Sequence, residues 1–565
     1  MKKLYITYLL FFCFSALSIY LLPISFINLD SANALYEAKL MLSGGQYFYQ
    51  FFETSPPMFL YVFLPLAFII KSIPSIRFDI GIYYYFYILS LISFFLCYVF
   101  SNLIFQKQSI KQIIFLSSIA FLFLISGELY FGQREQIALI FTLPYFLLLV
   151  CRLEKRDIRP TVSFIIGIIA GIGFAAKPHF CIPFFLAELY FMLKNKRFLS
   201  AFRIESITVF SLFVVYLVST YFLYPAYFHI IVPLSEKFYY FGIDSDPFWK
   251  NFFTIKMGYC YVSLLFYFVL QDKPKQLQTL IDVMVIALVG YVLSYVSELV
   301  PWDYHLFPAY AFCLFLNTLL FLCFAEKNDH NRFRNLLYFL FALFTYLYNM
   351  LYTGIHPLYS IFLASFCIFF YLKRFIFESI FKALSMMALA GLVFSYPIYV
   401  TYISYQSQIT LRKTQKPIID FLNQNAFGKP VYFLTSILSA EYPTVDYAGA
   451  LHCSRFPYLM WMPAYIKAAS EHREDQHAIA LYKLNTFFMQ LVAKDIAEKK
   501  PEFILVDTSK YIITPTYTVS GFDYLKLFLT NPTFKSVWKK YHYDTTIDHE
   551  PSYKLTVYQL NSQQK

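Results

Sequence analysis

Long apolar runs separated by short polar intervals make up most of the chain as far as about residue 404. An α-helix rises 1.5 Å per residue, so about 20 residues cross a hydrocarbon core of roughly 30 Å. Residues 4–27 are long enough to cross, and they exceed the apolar core of a signal peptide, which has about 7 to 15 residues. We predict that this first helix is retained and that twelve further spanning runs follow it: 80–105, 112–127, 136–151, 161–176, 180–193, 204–224, 252–270, 277–297, 305–324, 335–351, 357–372 and 383–404.

The interval after the first run differs in composition from the other intervals. Residues 30–57 combine an acid, an amphipathic run, the pair Gly44-Gly45, a second acid and the pair Pro56-Pro57. The apolar run 58–70 that follows would reach only about 20 Å as a helix, which is too short to cross the membrane. We therefore predict that residues 28–79 form the first outer loop, with two helices that lie along the membrane interface.

The distribution of basic residues tests this topology, because cytoplasmic loops of membrane proteins are enriched in Lys and Arg. If residues 58–70 do not cross, 20 basic residues between Lys2 and Lys382 lie on the side of the N-terminus. The opposite side then holds eight: Lys39, Lys71, Arg77, Arg134, Lys177, Lys237, Lys250 and Lys256. A crossing at 58–70 would invert this bias. We predict 13 spanning helices, a cytoplasmic N-terminus and an extracytoplasmic C-terminus.

The last 160 residues are more polar than the rest. Residues 406–565 carry 18 Lys and Arg and 14 Asp and Glu, and they contain no run long enough to span. Residues 431–435 and 503–506 have the pattern of buried strands, 466–499 contain helical stretches, and 554–560 alternate like an edge strand. The sequence thus predicts a transmembrane domain, 1–405, and an extracytoplasmic α/β domain, 406–565.

Composition agrees with a polytopic membrane protein. Hydrophobic residues make up 59% of the 565 residues and charged residues 14%, whereas soluble proteins have about 25% charged residues. The net charge of +12 is dispersed between apolar runs, which indicates topology and excludes a nucleic-acid-binding patch. The nine cysteines show neither a disulfide framework nor a CxxC metal site. We expect an integral, multi-pass protein of the plasma membrane, the inner membrane of a bacterium.

Ionisable residues at the outer ends of the predicted helices are the candidates for function, because charged groups at membrane depth are costly. This set contains Asp30, Glu37, Glu53, Glu128, Arg134, Glu135, Lys177, His179, Glu298, Asp303 and His305.

Each of the acids in the first loop has two interpretations. Asp30 is either the N-cap of an interfacial helix or a carboxylate that faces a substrate, and the two roles are compatible. Glu53 lies between aromatic residues and prolines, where it is either a functional acid or a solvated loop residue.

The basic candidates are likewise open to two interpretations. Arg134 and Glu135 begin the fourth spanning helix, where the dipole suits Glu but not Arg. Arg134 could bind a phosphate, or it could form a local salt bridge with Glu128 or Glu135. Lys177 could contact a phosphate or only extend to the interface. His305, in a segment that begins Pro301-Trp302, could bind a phosphate or satisfy a local hydrogen bond.

The first loop resembles that of a known family. Asp30, Tyr36, Ala38, Gly44-Gly45, Tyr49, Phe51-Phe52-Glu53 and Pro56-Pro57 are similar to the first outer loop of polyprenyl-phosphate-dependent glycosyltransferases of the GT-C fold. The similarity is to the protein mannosyltransferase-like branch and to the aminoarabinose transferase that modifies lipid A. Residues 20–25 also resemble the end of the first helix of the latter.

The resemblance implies that Asp30 is the loop aspartate near the acceptor, that Glu53 is the second loop acid and that Glu135 lies near the acid of the next outer loop. The chain departs from the family at two places. It has Asp30-Ser31 where the family often has Asp-Glu, and Thr54-Ser55 where the aminoarabinose enzyme has a lysine before the proline. A phosphate-binding lysine is therefore elsewhere or absent, and the aminoarabinose substrate cannot be inferred.

These residues fit the transfer of a sugar from a polyprenyl-phosphate donor to a lipid, glycan or protein acceptor. Carboxylates would orient the acceptor and stabilise an oxocarbenium-like transition state, while basic groups would neutralise the departing phosphate. We predict Asp30, Glu53 and Glu135 as catalytic residues and Arg134, Lys177 and His305 as phosphate ligands. No metal ligands are predicted, and the need for a divalent metal stays open. The alternatives are a transporter or flippase, or a polymerase or ligase, for lipid-linked sugars.

Overall fold

The computed structural model describes residues 12–13, 15–17, 19–20, 26–106, 110–238, 252, 255–269, 274–298, 302–326, 378–513, 518–520, 522–549 and 552–561. The predicted runs 335–351 and 357–372 and most of the run 4–27 lie outside these residues. The helices of the N-terminal part are α1 (Leu29–Leu42), α2 (Pro57–Ser72), α3 (Phe78–Ile104), α4 (Ile110–Ala120), α5 (Arg134–Leu153), α6 (Pro160–Ala175), α7 (Cys181–Asn195), α8 (Ile204–Leu223), α9 (Val232–Phe238), α10 (Ile255–Val269), α11 (Lys275–Ser297) and α12 (Phe307–Glu326).

The remaining helices are α13 (Glu378–Asn425), α14 (Leu438–Glu441), α15 (Thr444–Ala448), α16 (Met462–Ser470), α17 (Gln476–Lys499), α18 (Tyr524–Phe528) and α19 (Pro532–Trp538). The strands are β1 (Pro430–Leu434), β2 (Leu451–His452), β3 (Phe503–Asp507), β4 (Tyr511–Ile513), β5 (Thr518–Ser520), β6 (Tyr541–His549) and β7 (Tyr553–Leu560). Within the described residues, helices occupy the predicted apolar runs between 80 and 324 and the run 383–404.

Five helical segments of the described chain are long and apolar enough to cross a membrane. They are Phe78–Ile104, Arg134–Leu153, Ile204–Leu223, Leu277–Ser297 and Tyr304–Cys323. Shorter apolar helices include Pro57–Ser72, Ile110–Ser126, Pro160–Ala175 and Met257–Phe268. A mostly helical chain with apolar helices of spanning length and a small C-terminal sheet agrees with the predicted class of membrane protein.

The chain forms two compact units. The first consists of Met1–Pro23, Phe86–Phe213 and Asp246–Gln406, and the second of Ile24–Tyr85, Val214–Ser245 and Ser407–Lys565. Residues of the predicted first outer loop thus fold together with the C-terminal residues.

Close helix packing characterises the first unit. A Cβ atom on Gly290 of α11 would lie 2.5 Å from the Pro183 Cα atom of α7, so glycine allows the two backbones to approach. Polar contacts also join the helices: Thr142 of α5 and Tyr291 of α11 bring their hydroxyl oxygens within 2.7 Å. These contacts fix α5, α7 and α11 relative to one another within the unit.

The second unit contains a five-stranded sheet of order β2-β1-β3-β7-β6. Strand β1 pairs in parallel with β2 and β3, whereas β7 is antiparallel to both β3 and β6. The apolar runs of β1 and β3 are almost wholly buried, as predicted, and they pack against Ile418 and Leu422 of α13. A separate hairpin joins β4 and β5.

The prediction that residues 554–560 form an edge strand is wrong. These residues belong to β7, which is paired on both sides, and the edge position is taken by β6. Burial along β7 alternates because one face of the sheet packs on the core. Alternation reports which face of a strand is buried, and it carries no information about its neighbours in the sheet.

Candidate functional site

Four ionisable side chains meet in the first unit around Lys177. The Lys177 Nζ atom lies 2.5 Å from Glu135 Oε1 and 3.0 Å from Glu298 Oε2. The His305 Nδ1 atom lies 2.6 Å from Glu298 Oε2, and its Nε2 atom lies 3.7 Å from Glu135 Oε1. We call Glu135, Lys177, Glu298 and His305 the Lys177 cluster.

Helix ends bring these four residues together. Glu135 lies in the first turn of α5, where the helix dipole stabilises a carboxylate. Lys177 has an extended backbone between α6 and the 3-10 turn Pro178–Phe180, the conformation that a following proline favours. Glu298 is the C-cap residue of α11, and His305 lies in the 3-10 turn Asp303–Leu306. The cluster therefore forms where four apolar helices begin or end.

The cluster is buried but incompletely hydrogen-bonded. The side chains of Glu135, Lys177 and Glu298 are 0%, 6% and 7% exposed. Lys177 donates hydrogen bonds to both oxygens of Glu298. Although charged atoms approach closely, neither the Glu135 oxygens nor the His305 nitrogens have a well-aligned hydrogen bond to any described residue. Buried polar atoms of this kind are costly unless a partner or a function accounts for them.

Neighbouring basic side chains keep the Glu298 carboxyl group ionised. Burial raises the pKa of Glu298, but the Lys177 ammonium and the His305 imidazole outweigh burial and hold that pKa below its ordinary value. Glu298 is therefore ionised at neutral pH. In the cluster, one ammonium group therefore lies against two buried acidic side chains.

A second charged network, at the opposite end of α5, provides a contrast. Arg152 donates hydrogen bonds to Glu205 at 3.1 and 3.2 Å and to Ser163 at 2.7 Å. Arg203 donates to Glu205 at 2.9 Å and to Glu188 at 2.7 and 3.0 Å. Two guanidinium groups balance two carboxylates, and all four have aligned partners. This network has the properties of a structural link between helices, which the Lys177 cluster lacks.

A pair of buried carboxyl groups lies in the second unit. Glu37 of α1 and Glu53, in the segment before α2, are 1% and 8% exposed. Glu53 accepts hydrogen bonds from the Asn33 side chain at 3.2 Å and from the Ser55 backbone N–H at 2.5 Å. Burial and the neighbouring Glu53 carboxylate raise the pKa of Glu37 well above its ordinary value. Burial beside the Glu53 carboxylate therefore favours the protonated form of Glu37.

The Glu37→Gln variant tests this protonation state. The pKa of Glu37 is raised in the folded protein, so its contribution to stability is full below pH 4.5 and is lost as pH rises towards the raised value. Glutamine has nearly the same shape and cannot ionise. We expect the melting temperature of the variant relative to wild type to increase as pH rises from 4.5 to 8. The exposed Glu474→Gln variant is the control, and a pH-independent difference for Glu37→Gln would contradict the assignment.

The structure brings some of the predicted residues together. Glu135, Lys177 and His305 meet in the Lys177 cluster, and Arg134 is the first residue of α5, next to Glu135. Asp30 and Glu53 belong to the second unit. The interpretation of Glu53 as a solvated loop acid is wrong, because its side chain is buried.

Asp30 is not the N-cap of α1. The Asn28 side chain accepts hydrogen bonds from the backbone N–H groups of Asp30 and Ser31, at 3.0 and 3.4 Å, and Asp30 lies half-buried in the first turn. Both residue types are good caps, and the sequence does not show which of them precedes the first helical turn.

Glu37 and Glu298 belong to the ionisable residues at the predicted outer helix ends, but neither was predicted as a site residue. Glu298 contacts both Lys177 and His305, and Glu37 is buried beside Glu53. Glu298 could have been found, because Lys177 and His305 were both predicted to lie at helix ends, where basic side chains need acidic partners. No group of three or more His, Cys, Asp or Glu residues in the described part of the chain could hold a metal ion.

Comparisons of the chain with protein-family models, with curated proteins and with solved structures gave no match.

Proposed function

We propose that this protein is a membrane glycosyltransferase that moves a sugar from a polyprenyl-phosphate donor to a lipid, glycan or protein acceptor outside the cytoplasm. The proposal includes 13 spanning helices, a cytoplasmic N-terminus and an extracytoplasmic C-terminal domain in the plasma membrane. The resemblance of the first loop to polyprenyl-phosphate-dependent glycosyltransferases supports it.

The observation that carries the proposal is the Lys177 cluster. Lys177 is held within 3.0 Å of two buried carboxylates at the ends of apolar helices, and Glu135 and His305 retain atoms without aligned partners in the described residues. An ionisable group in such surroundings is a candidate for function by default. Carboxylates can stabilise positive charge on a sugar ring, and an ammonium group and an imidazole can stabilise a departing phosphate.

The chemistry assigns each group a role. The donor sugar is already activated, so the enzyme must remove a proton from the acceptor hydroxyl and stabilise the phosphate that leaves. Asp30 is the proposed general base, and Glu53 and Glu135 orient the acceptor and stabilise positive charge on the sugar ring. Lys177, His305 and Arg134 donate hydrogen bonds to the phosphate oxygens, for which Arg offers a planar fork and Lys a point charge. A single displacement would invert the anomeric carbon, by analogy with inverting glycosidases.

Binding of an anionic donor requires a change of protonation in the Lys177 cluster. A phosphate that approaches Lys177 competes with Glu135 and Glu298, which already neutralise the ammonium group. We expect donor binding to be accompanied by protonation of His305 or of one carboxyl group, because two carboxylates beside a single ammonium group repel an anion.

Mass spectrometry of surface glycolipids and glycoproteins, with and without this protein, tests the proposal. We expect one class of glycan to lose a single sugar when the protein is absent, while the lipid-linked donor of that sugar accumulates. An unchanged set of surface glycans and lipid-linked sugars would contradict it.

A further inference from the structure

Residues 441–456 of the second unit contact residues 26–52 at several points. We call this segment the loop seat. The Tyr447 ring stacks on Phe26 with centroids 5.1 Å apart, and its hydroxyl accepts a hydrogen bond from the Ile27 N–H at 3.4 Å. Arg455 donates to the Phe48 carbonyl at 3.3 Å, and its own carbonyl accepts from the Phe52 N–H at 2.8 Å. The loop seat therefore contacts the chain on both sides of α1.

His452 lies at the centre of the loop seat between two carboxylates. Its Nδ1 atom is 3.0 Å from Glu441 Oε1, and its Nε2 atom is 3.2 Å from Asp446 Oδ2. Acidic side chains thus face both ring nitrogens, an arrangement in which an imidazolium donates one hydrogen bond to each of two carboxylates. The His452 and Glu441 side chains are only 3% and 1% exposed. Two acidic side chains against the two ring nitrogens favour the imidazolium form of His452.

Helix α1 packs directly on this imidazolium. The Tyr36 ring lies 4.7 Å from the His452 ring, and the Tyr36 hydroxyl donates to the His452 carbonyl at 3.3 Å. The Tyr442 ring also stacks on His452, with centroids 4.2 Å apart and an interplanar angle of 8°. A cation is attracted to the faces of aromatic rings, so the charge on His452 strengthens its contacts with both tyrosines.

We propose that His452 is a positioning residue: as an imidazolium clamped by Glu441 and Asp446, it docks α1, and with it Asp30, on the C-terminal domain. The docking is independent of the activity of the protein. Its consequence for sugar transfer rests on the proposed function, because Asp30 is the proposed base.

Loss of the proton from His452 would dismantle this arrangement. A neutral imidazole donates only one hydrogen bond, so one carboxylate would face a lone pair in a buried site. Glu441 and Asp446 would then repel each other without a cation between them. The other titratable groups near the clamp are Tyr36, Glu37, Lys39, Tyr442, Cys453 and Lys499.

The pH range follows from the geometry and the charges. Burial lowers the pKa of His452, but Asp446 and Glu441 outweigh burial and raise it from 6.5 to about 9. A raised pKa stabilises the folded seat fully below pH 6.5, and this contribution is lost as pH rises through about 9. Burial also raises the pKa of Glu441, which changes stability in the same direction with pH. We therefore expect docking of α1 to weaken between pH 7 and pH 10.

Hydrogen exchange of the full-length protein in lipid nanodiscs tests the proposal. Protection factors, corrected for the intrinsic pH dependence of exchange, are compared for α1 (Leu29–Leu42) and for α17 (Gln476–Lys499) as an internal reference. In wild type, we expect α1 protection to fall at least tenfold, equivalent to about one pKa unit, between pH 7 and pH 10 while α17 changes little. In His452→Gln, α1 should already exchange rapidly at pH 7, with no further dependence on pH.

Two variants separate charge from a general loss of structure. Glu441→Gln/His452→Gln removes one charge of each sign, so it should regain part of the α1 protection at pH 7, even if His452→Gln alone does not fold. His542→Gln, at an exposed histidine of the same domain, should behave as wild type. Wild-type protection that is independent of pH, or equal protection of α1 in wild type and His452→Gln, would overturn the proposal. If α1 protection depends on pH and on His452 as expected but the protein transfers no sugar, only the proposed function is refuted.

Discussion

Replacement of Lys177 by glutamine is expected to abolish sugar transfer and to lower the free energy of unfolding by about 3–5 kcal/mol. Lys177 is the only lysine or arginine within 4.0 Å of Glu135 or Glu298 among the ion pairs of the described residues. Its removal leaves two buried acidic side chains without the ammonium group that both of them contact. Transfer is measured by product formation in membranes, and stability by thermal unfolding of the purified protein.

A double variant distinguishes the structural effect from the functional one. Lys177→Gln/Glu298→Gln removes one charge of each sign, so most of the lost stability should return. If Lys177 binds the donor phosphate, sugar transfer should remain absent in this stable variant. Transfer at the wild-type rate in the double variant would exclude Lys177 as a phosphate ligand.

Asp30→Asn should abolish sugar transfer while expression, membrane insertion and thermal stability stay close to those of wild type. Asn28 caps α1, so Asp30 is not needed for that cap, and asparagine preserves the shape of the side chain. What the substitution removes is the negative charge and with it the ability to accept a proton from the acceptor hydroxyl. Product formation and the melting temperature are measured on the same preparation.

Asn28→Ala is the matched control for Asp30→Asn. Loss of the cap should cost about 1 kcal/mol of stability, because the backbone N–H groups of Asp30 and Ser31 lose their acceptor. Transfer should persist in this variant. If Asn28→Ala were inactive and Asp30→Asn active, the role of this segment would be structural and Asp30 would have no part in the mechanism.

For the described residues, the sequence predicted the positions of the long apolar helices well, because the runs that form them are long. The predicted run 204–224 corresponds to α8, Ile204–Leu223, and 277–297 falls within α11, Lys275–Ser297. The length of an apolar run can be read directly from a single sequence, because it depends only on the hydrophobicity of consecutive residues. The strands β1 and β3 were recognised for the same reason, since both are continuous apolar segments between polar residues.

Contacts between residues that are distant in the sequence could not be predicted from run length. The contact between Lys177 and Glu298 joins residues 121 positions apart, and that between Tyr36 and His452 joins residues 416 positions apart. The sequence places each residue at a helix end or in a loop, but only the packing of the helices decides which ends meet. The same limit explains why β7 was taken for an edge strand and why Glu37 was not recognised as the partner of Glu53.

The most direct test of the proposed function is the fate of the lipid-linked sugar in a purified system. The protein is reconstituted in liposomes with polyprenyl-phosphate sugars extracted from cells that lack it, together with surface glycolipids and glycoproteins from the same cells. Mass spectrometry then measures free polyprenyl phosphate, the product that every donor sugar would leave. We expect wild type to release it and to add one sugar to an acceptor, whereas Lys177→Gln/Glu298→Gln and Asp30→Asn should not. Translocation of the intact lipid-linked sugar across the liposome membrane, without release of polyprenyl phosphate, would contradict this account and identify a transporter.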